Sequence, residues 1–226
     1  MIVVVGSPIA EPAGENVEAG GLAARVALGA ARAGAAVEVV GRVGEDAAGD
    51  QVLLSFAAGG VGHVAVLREA GQLTPAVAPD LGESPSPDGP VLAATVLEDD
   101  DVDDMDHGRG LPPGLSVDAA DVELALRYLP DYRVLVLAAD LDPAATEAAV
   151  AAAGWSGAAL VVLIASDGDT AVFPPSATIL ARPADDRDGA FAATVAAFAV
   201  ALDRGVDPSE AFATAQRAAG WAAVAD

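Results

Sequence analysis

Short runs rich in valine and leucine alternate along the chain with longer alanine-rich segments, and this alternation limits the possible folds more than any other feature. The apolar runs lie at residues 2–6, 35–44, 134–140 and 159–166. Runs of this length without polar alternation are typical of strands that are buried on both faces of a parallel sheet. We therefore predict an α/β fold, a three-layer α/β/α sandwich around a mostly parallel, doubly wound sheet.

The segments between the strands carry helix signals. Alanine-rich stretches predict helices at residues 20–34, 116–129 and 142–154, and two further helices near the C-terminus. With 226 residues and 53% hydrophobic residues, the chain has the size of one domain with a full core. We predict a single domain over residues 1–226.

Residues 71–114 break this pattern, because proline, glycine and acidic residues replace the apolar runs. A strand-like run remains at residues 90–98, and an acidic run follows at residues 98–107. The acidic run lacks the glycine and the glutamate that an EF-hand calcium loop requires at its sixth and twelfth positions. We predict an irregular segment here, either a solvated loop or a reduced lid.

The charge and the residue types exclude several functions. With 34 acidic residues against 11 basic ones, the formal net charge is -23, which predicts a surface that repels nucleic acid and anionic lipid. Lysine and cysteine are absent, so lysine Schiff bases, P-loop lysines and thiolate chemistry are excluded. The two histidines are far apart in sequence, and we predict no metal site. No apolar run has the roughly 20 residues of a membrane span, so we expect a cytoplasmic protein.

Residues 20–61 contain glycines in a characteristic order: a Gly-Gly pair opens a helix, a strand reads GRVGED, and a second helix ends in Gly-Gly-Val. This order resembles the N-terminal signature of the ribokinase/PfkB family of carbohydrate kinases. Residues 184–224 resemble the family's C-terminal signature, in which DTxGAGDAFxAG precedes two helices, and residues 126–141 resemble a helix and strand of its substrate cleft. The residues that match the N-terminal pattern are Gly20, Gly21, Gly34, Gly41, Gly44, Asp46, Gly49 and Gly60.

The resemblance implies a ribokinase-like fold and transfer of the ATP γ-phosphate, with Mg²⁺, to a hydroxymethyl group of a sugar or nucleoside. In that family the aspartate of GAGD takes the proton from the substrate hydroxyl. The backbone N–H groups of the neighbouring glycines hold the transferred phosphate at a helix N-terminus, where orphan donors and the helix dipole favour an anion. Family members often dimerise through lid strands, which makes a homodimer a further expectation, but residues 9–20 are too few for a full share of such a lid.

Asp186, Arg187, Asp188 and Gly189 stand where the family has Gly-Ala-Gly-Asp when the two are aligned without a gap. A shift by one residue brings an aspartate to the base position, which makes Asp188 the candidate catalytic residue and, in a second interpretation, a helix cap. Asp186, Arg187 and Gly189 then form the candidate phosphate-binding region. In either register charged residues replace glycines, and their carboxylates compete with phosphate for the helix start.

The substrate side also differs from the family. Counted from Gly20 and Gly21, the family's substrate-binding asparagine falls on Arg25, and the acidic residue near the family's substrate aspartate is Glu11. The resemblance therefore implies Glu11, Gly20, Gly21 and Arg25 as the substrate-binding residues. Because Asn16 is the only asparagine in the chain, the family's Asn-x-x-Glu motif, which helps to organise magnesium and phosphate, is absent in its usual form.

Three interpretations stay open from the sequence. The first is a ribokinase-like protein that has lost phosphoryl transfer and serves as a small-molecule-binding or regulatory protein. The second is a minimal active sugar or nucleoside kinase that uses ATP, Mg²⁺ and Asp188 as general base. The third is an unrelated Rossmann-like binding protein with its pocket at the carboxyl ends of the strands. The replaced glycines, the replaced asparagine and the missing motif favour the first.

Overall fold

This computed structural model of the protein describes residues 1–14, 16–77, 115–166, 168–183, 186 and 189–218. The strand-like run at residues 90–98 and the acidic run at residues 98–107 lie outside the described residues. So do two of the candidate site residues, Arg187 and Asp188.

The described strands form two sheets. In chain order they are β1 (Ile2–Val5), β2 (Ile9–Ala13), β3 (Asn16–Gly20), β4 (Val37–Gly44), β5 (Gly62–Glu69), β6 (Val134–Leu137), β7 (Ala159–Ile164) and β8 (Thr178–Ala181). β2 and β3 pair as an antiparallel hairpin. The other six strands form one parallel sheet in the order β5-β4-β1-β6-β7-β8.

Helices cover both faces of the parallel sheet. In chain order they are α1 (Gly21–Arg32), α2 (Ala47–Ala58), α3 (Ala119–Tyr128), α4 (Pro143–Ser156), α5 (Ala190–Asp203) and α6 (Pro208–Ala218). Because side chains alternate along a strand, Ile2 and Val4 of β1 pack into a core shared with α1, α2, α5 and α6. Val3 and Val5 pack into the core on the other face, with α3 and α4. The three-layer α/β/α sandwich predicted from the sequence is confirmed.

Two of the predicted strands end earlier than their apolar runs. β6 ends at Leu137 and β7 ends at Ile164, whereas the runs continue to residues 140 and 166. Leu137 pairs with Val5, which is the last residue of β1, so the ladder between the two strands stops there. The residues that follow turn into loops at the carboxyl edge of the sheet.

The β2–β3 hairpin forms a separate small sheet. Each of its strands has five residues. The next segment of chain lies alongside it, because the Ala10 N–H donates to the Pro75 carbonyl and the Val77 N–H donates to the Ala10 carbonyl. The reduced lid expected over residues 71–114 stays a prediction, because residues 78–114 lie outside the described part of the chain.

The strand order places a topological switch point beside β1. The chain moves outward from β1 to β4 and β5, and then returns to the other side of β1 to form β6, β7 and β8. In doubly wound sheets, ligands bind outside the carboxyl ends of the strands at such a point. The carboxyl edge near β1 and β6 is therefore the expected place for a functional site.

The glycine-rich signature around residues 41–49 serves the turn between β4 and α2. Asp46 is the N-cap of α2 and accepts the N–H of Gly49 at 2.8 Å. The same carboxylate accepts the hydroxyl of Thr74 at 2.7 Å and its backbone N–H at 2.9 Å. A side chain at position 49 would overlap the carbonyl oxygen of Gly44. Asp46 and Gly49, which match the family's N-terminal pattern, therefore have structural roles in this turn.

Glu38 in β4 supplies a test of stability against pH. Burial raises the pKa of its carboxyl group, and its Oε2 is buried without a hydrogen-bond partner among the described residues. A folded-state pKa above the unfolded one means that the protonated form stabilises the fold, and that this contribution is lost as the pH rises through the folded-state pKa. At pH 7.5 we expect Glu38→Gln to raise the melting temperature by about 1–3 °C.

Differential scanning fluorimetry from pH 4 to pH 8 measures this effect. The gain should shrink toward pH 4, where the parent Glu38 is itself protonated. Glu45→Gln is the control, since it removes an exposed carboxylate just beyond the other end of β4 and should leave the melting temperature unchanged. A Glu38→Gln variant that melts at or below the parent temperature at pH 7.5 contradicts the assignment.

Candidate functional site

The N-terminus of α5 is occupied by a carboxylate from the preceding loop. Oδ1 of Asp186 accepts the Phe191 N–H at 2.7 Å, and Oδ2 accepts the Ala192 N–H at 3.0 Å. Asp186 is only 8% exposed, so both bonds are shielded from water. The negative charge also lies at the positive end of the helix dipole, which stabilises it. Asp186 therefore caps α5.

Gly189 makes the turn that lets Asp186 reach back to the helix. Its φ of 68° lies in the left-handed region that glycine adopts most readily, and it is the residue that precedes the first turn of α5. The Gly189 N–H donates to the Asp186 carbonyl at 2.8 Å, which closes the turn. The glycine at this position thus shapes the loop around an internal carboxylate.

Arg25 of α1 joins the hairpin to this loop. Its Nη2 donates to Oε1 of Glu11 at 2.6 Å, and its Nη1 donates to the Asp186 carbonyl at 3.2 Å. Oε1 of Glu11 also accepts the Gly21 N–H at 2.9 Å, at the first residue of α1. The Arg25 and Glu11 side chains are 27% and 25% exposed, so the pair faces a partly open space.

Close packing of helices and backbone brings these groups together. A Cβ on Gly29 of α1 would lie 3.0 Å from the Cβ of Ala196 in α5, which shows how closely the two helices approach. A side chain at position 20 would overlap the Glu11 side chain, so glycine there leaves room for the carboxylate. The close contact between α1 and α5 sets Arg25 beside the loop that contains Asp186.

The structure therefore brings six of the sequence-predicted site residues into one cluster. Two carboxylates and one guanidinium group give the cluster a net negative charge. Arg187 and Asp188 belong to the same loop by sequence but lie outside the described residues. The role of Asp188 as the candidate base therefore stays a prediction. The residues brought together are Glu11, Gly20, Gly21, Arg25, Asp186 and Gly189.

A second charged cluster lies at the carboxyl end of β4, and sequence reasoning missed it. Arg42 binds Asp121 with two hydrogen bonds, from Nε at 2.7 Å and from Nη2 at 3.0 Å. Its Nη2 also donates to Asp118 at 3.0 Å, and Glu69 lies 3.6 Å from its Nη1. Hydrogen bonding to Asp121 raises the pKa of the Arg42 guanidinium further above its usual value.

The same cluster fixes the start of α3. Asp118 and Asp121 form a reciprocal capping box, in which each side chain accepts the backbone N–H of the other residue. Ser7, just after β1, accepts the Arg42 N–H at 3.0 Å and donates to the Leu115 carbonyl at 2.6 Å. The D-x-x-D spacing indicates the cap in sequence, but nothing in the sequence indicates that Arg42 would bind it.

A further ion pair joins the loops that follow β6 and β8. Nη2 of Arg182 donates to Oδ2 of Asp140 at 2.6 Å, and the Arg182 side chain is 2% exposed. Arg182 follows β8 directly, and its N–H donates to the carbonyl of Ile164. The pair joins the buried Arg182 to the more exposed Asp140, whose side chain is 32% exposed, and so ties the loops after β6 and β8 together.

Within the described part of the chain, no group of three or more histidine or acidic side chains lies in a position to hold a metal ion. None of the helices described is both long enough and apolar enough to cross a membrane.

Comparisons with known proteins place the fold. No model of a known protein family matches the sequence. No curated protein matches it either. Solved structures do match: a protein called Sa239 gives a TM-score of 0.65 at 14% identity, with 96% of this chain and 92% of that chain covered.

Two ligand-bound structures match over the whole chain. One is aminoimidazole riboside kinase from Salmonella enterica with aminoimidazole riboside and an ATP analog, at a TM-score of 0.61, 14% identity, and coverage of 100% of this chain and 94% of that one. The other, from E. coli, is described as a Ribokinase II with ATP and Mg²⁺, at a TM-score of 0.62, 14% identity, and coverage of 100% and 93%. The protein therefore has a ribokinase-like fold, the α/β sandwich found in these sugar kinases.

Proposed function

We propose that this protein is a single ribokinase-like domain that has lost phosphoryl transfer and acts as a small-molecule-binding or regulatory protein. The observation that carries the proposal is the Asp186 carboxylate at the start of α5. The resembling family uses the N–H groups of such a helix start to hold the transferred phosphate. In this chain the Asp186 carboxylate already lies at that helix start, where it accepts the N–H groups of Phe191 and Ala192.

Electrostatics oppose a phosphate at the same place. At about 4 Å and an effective dielectric constant of about 20, one pair of like unit charges is unfavourable by about 4 kcal/mol, on the order of a thousandfold in affinity. Asp186 is buried, so solvent screens this repulsion less than it would at the surface. The described residues around α5 therefore do not fit the phosphates of ATP.

The substrate side supports the same proposal. Arg25 stands where the family has a substrate-binding asparagine, and its guanidinium already binds Glu11 and the Asp186 carbonyl. These bonds hold the hairpin and the α5 loop together instead of presenting an amide to a sugar. The partly exposed Glu11 carboxylate remains able to accept a hydroxyl from a sugar or nucleoside that enters the cleft.

Calorimetric titration with Mg²⁺-ATP and with Mg²⁺-ADP tests the loss of phosphoryl transfer. We expect no binding heat up to about 5 mM nucleotide, where even a weak site would be detected. A coupled assay of ATP turnover over a panel of sugars and nucleosides should give the rate of the buffer control, with an active sugar kinase as positive control. Turnover that requires a sugar and disappears in Asp188→Asn would overturn the proposal in favour of a minimal kinase.

A thermal-shift screen tests the binding role separately. A ligand that binds the folded state raises the melting temperature, and the rise grows with the logarithm of its concentration relative to its Kd. We expect at least one sugar or nucleoside to raise it without becoming phosphorylated, and Glu11→Gln to weaken that shift. If every compound leaves the melting temperature unchanged, the proposed binding role is wrong, even if the kinase assay detects no ATP turnover.

A further inference from the structure

A cavity of about 650 Å³ lies at the carboxyl ends of β6 and β7, on the α4 side of the sheet. The first turns of α4 form one wall, and residues 168–173, after β7, form the other. Its volume falls in the range of small-molecule sites. The cavity is separate from the cluster around Asp186, which lies at α5 on the opposite face of the sheet.

The interior of this cavity is apolar. Leu137 of β6 and Val162 of β7 form its floor, and each is 2% exposed. Val150 of α4 and the ring of Phe173 line the walls. An apolar group that enters would leave water and contact these side chains, which stabilises binding in proportion to the area buried.

The mouth of the cavity is acidic. Glu147 and Asp169 line it, and both residues are exposed. Asp140 lines it too, with its carboxylate bound to Arg182. Among the described residues that line the cavity, none is basic.

The helix dipole does not reverse this charge. The first turn of α4 contributes to the wall, and a helix start favours anions. Here the Asp142 carboxylate caps α4 and accepts the Ala145 N–H at 2.7 Å, which places a further negative charge at that end. An anion at the mouth would meet several carboxylates, whereas a cation would find complementary charge.

We propose that this cavity binds a small organic cation with an apolar body, such as a primary alkyl or arylalkyl amine. The apolar part lies on Leu137 and Val162, and the ammonium group lies at the mouth between Glu147 and Asp169. This proposal rests on the cavity alone and is independent of the loss of phosphoryl transfer.

Isothermal titration with hexylammonium, 1-hexanol, hexanoate and ethylammonium in about 0.15 M NaCl tests it, because that salt screens the protein's general negative charge. We expect one hexylammonium per chain, bound at least about threefold more tightly than 1-hexanol and far more tightly than hexanoate. Affinity should rise about two- to fourfold for each added methylene group from ethylammonium to hexylammonium.

Two double variants separate the mouth from the rest of the acidic surface. Glu147→Gln with Asp169→Asn should weaken hexylammonium about three- to tenfold and leave 1-hexanol unchanged. Glu123→Gln with Glu210→Gln removes the same total charge from exposed positions on α3 and α6 and should change neither affinity. Asn at position 169 keeps an acceptor for the Ala171 N–H, so the loop retains its turn.

A cavity-filling variant gives an independent measure. Val150→Phe should abolish hexylammonium and 1-hexanol binding together, while circular dichroism confirms that the variant is folded. The proposal is overturned if hexanoate binds as tightly as hexylammonium, if the α3 and α6 double variant weakens the amine as much as the mouth variant, or if no amine binds up to about 10 mM.

Discussion

Asp186→Ala is expected to lower the free energy of unfolding by about 2 kcal/mol, the upper end of the effect of removing a helix N-cap. The reason is that two backbone N–H groups, from Phe191 and Ala192, lose their acceptor in a place that water reaches poorly. For a chain of this length the melting temperature should fall by about 4–8 °C. Urea denaturation and scanning calorimetry measure both quantities.

The same variant makes a second, functional readout available. With the carboxylate gone, the place that it occupies at the start of α5, near the Arg25 guanidinium, is open to another anion. We expect about 20 mM phosphate to raise the melting temperature of Asp186→Ala by several degrees while leaving the parent unchanged. Asp186→Asn keeps the shape of the side chain without its charge. Its rise in melting temperature with phosphate should lie between that of the parent and that of Asp186→Ala.

Asp142→Ala is the matched control. It removes the carboxylate that caps α4 through the Ala145 N–H, in a place with no arginine beside the helix start among the described contacts. Its free energy of unfolding should fall by about 1 kcal/mol, and phosphate should not raise its melting temperature. If phosphate rescues both variants equally, or rescues neither, then Asp186 does not occupy a latent anion site and the proposed function loses its main support.

The buried part of the fold was predictable because local sequence determines it. The runs that became β1, β6 and β7 are apolar on both faces, and β4 is apolar apart from Glu38 and Arg42, since all four lie inside the parallel sheet. The edge strands β5 and β8 were not predicted. Their residues are mostly half-buried or exposed, so polar side chains interrupt the apolar pattern.

Six of the residues predicted from the sequence lie together in the structure, but their contacts were not predicted. The resemblance to the carbohydrate kinases selected Glu11, Arg25 and Asp186 by their place in a motif. It did not reveal that Asp186 caps α5. Nor did it reveal that Arg25 binds Glu11, because a contact between α1 and the hairpin depends on tertiary packing.

Long-range ion pairs show most clearly which contacts could not be predicted from the sequence. Arg42 and Asp121 are 79 residues apart in sequence, and their two hydrogen bonds form only once β4 and α3 have been brought together. Each residue taken alone has an ordinary interpretation, as a strand-end arginine and a helix-cap aspartate. The pairing determines where α3 begins relative to the sheet, which is information that no local pattern contains.

Arg42→Ala is expected to have the largest effect of the variants considered, about 3 kcal/mol of unfolding free energy and about 6–12 °C in melting temperature. Asp121 is only 9% exposed, so loss of its bidentate partner leaves a carboxylate that water solvates poorly. Asp118 and Glu69 are 50% and 41% exposed and should contribute little to the loss. Urea denaturation followed by circular dichroism measures the change.

Arg68→Ala provides the comparison within the same protein. Arg68 of β5 forms an ion pair with Asp50 at 2.8 Å, but the two side chains are 44% and 53% exposed, so its loss should change stability by less than about 0.5 kcal/mol. In an Asp121→Asn background, Arg42→Ala should lower the free energy of unfolding by at least about 1 kcal/mol less than in the parent. The reason is that the carboxylate charge which Arg42 compensates is already absent. An Arg42→Ala variant as stable as Arg68→Ala would mean that the two hydrogen bonds to Asp121 do not hold α3 against the sheet.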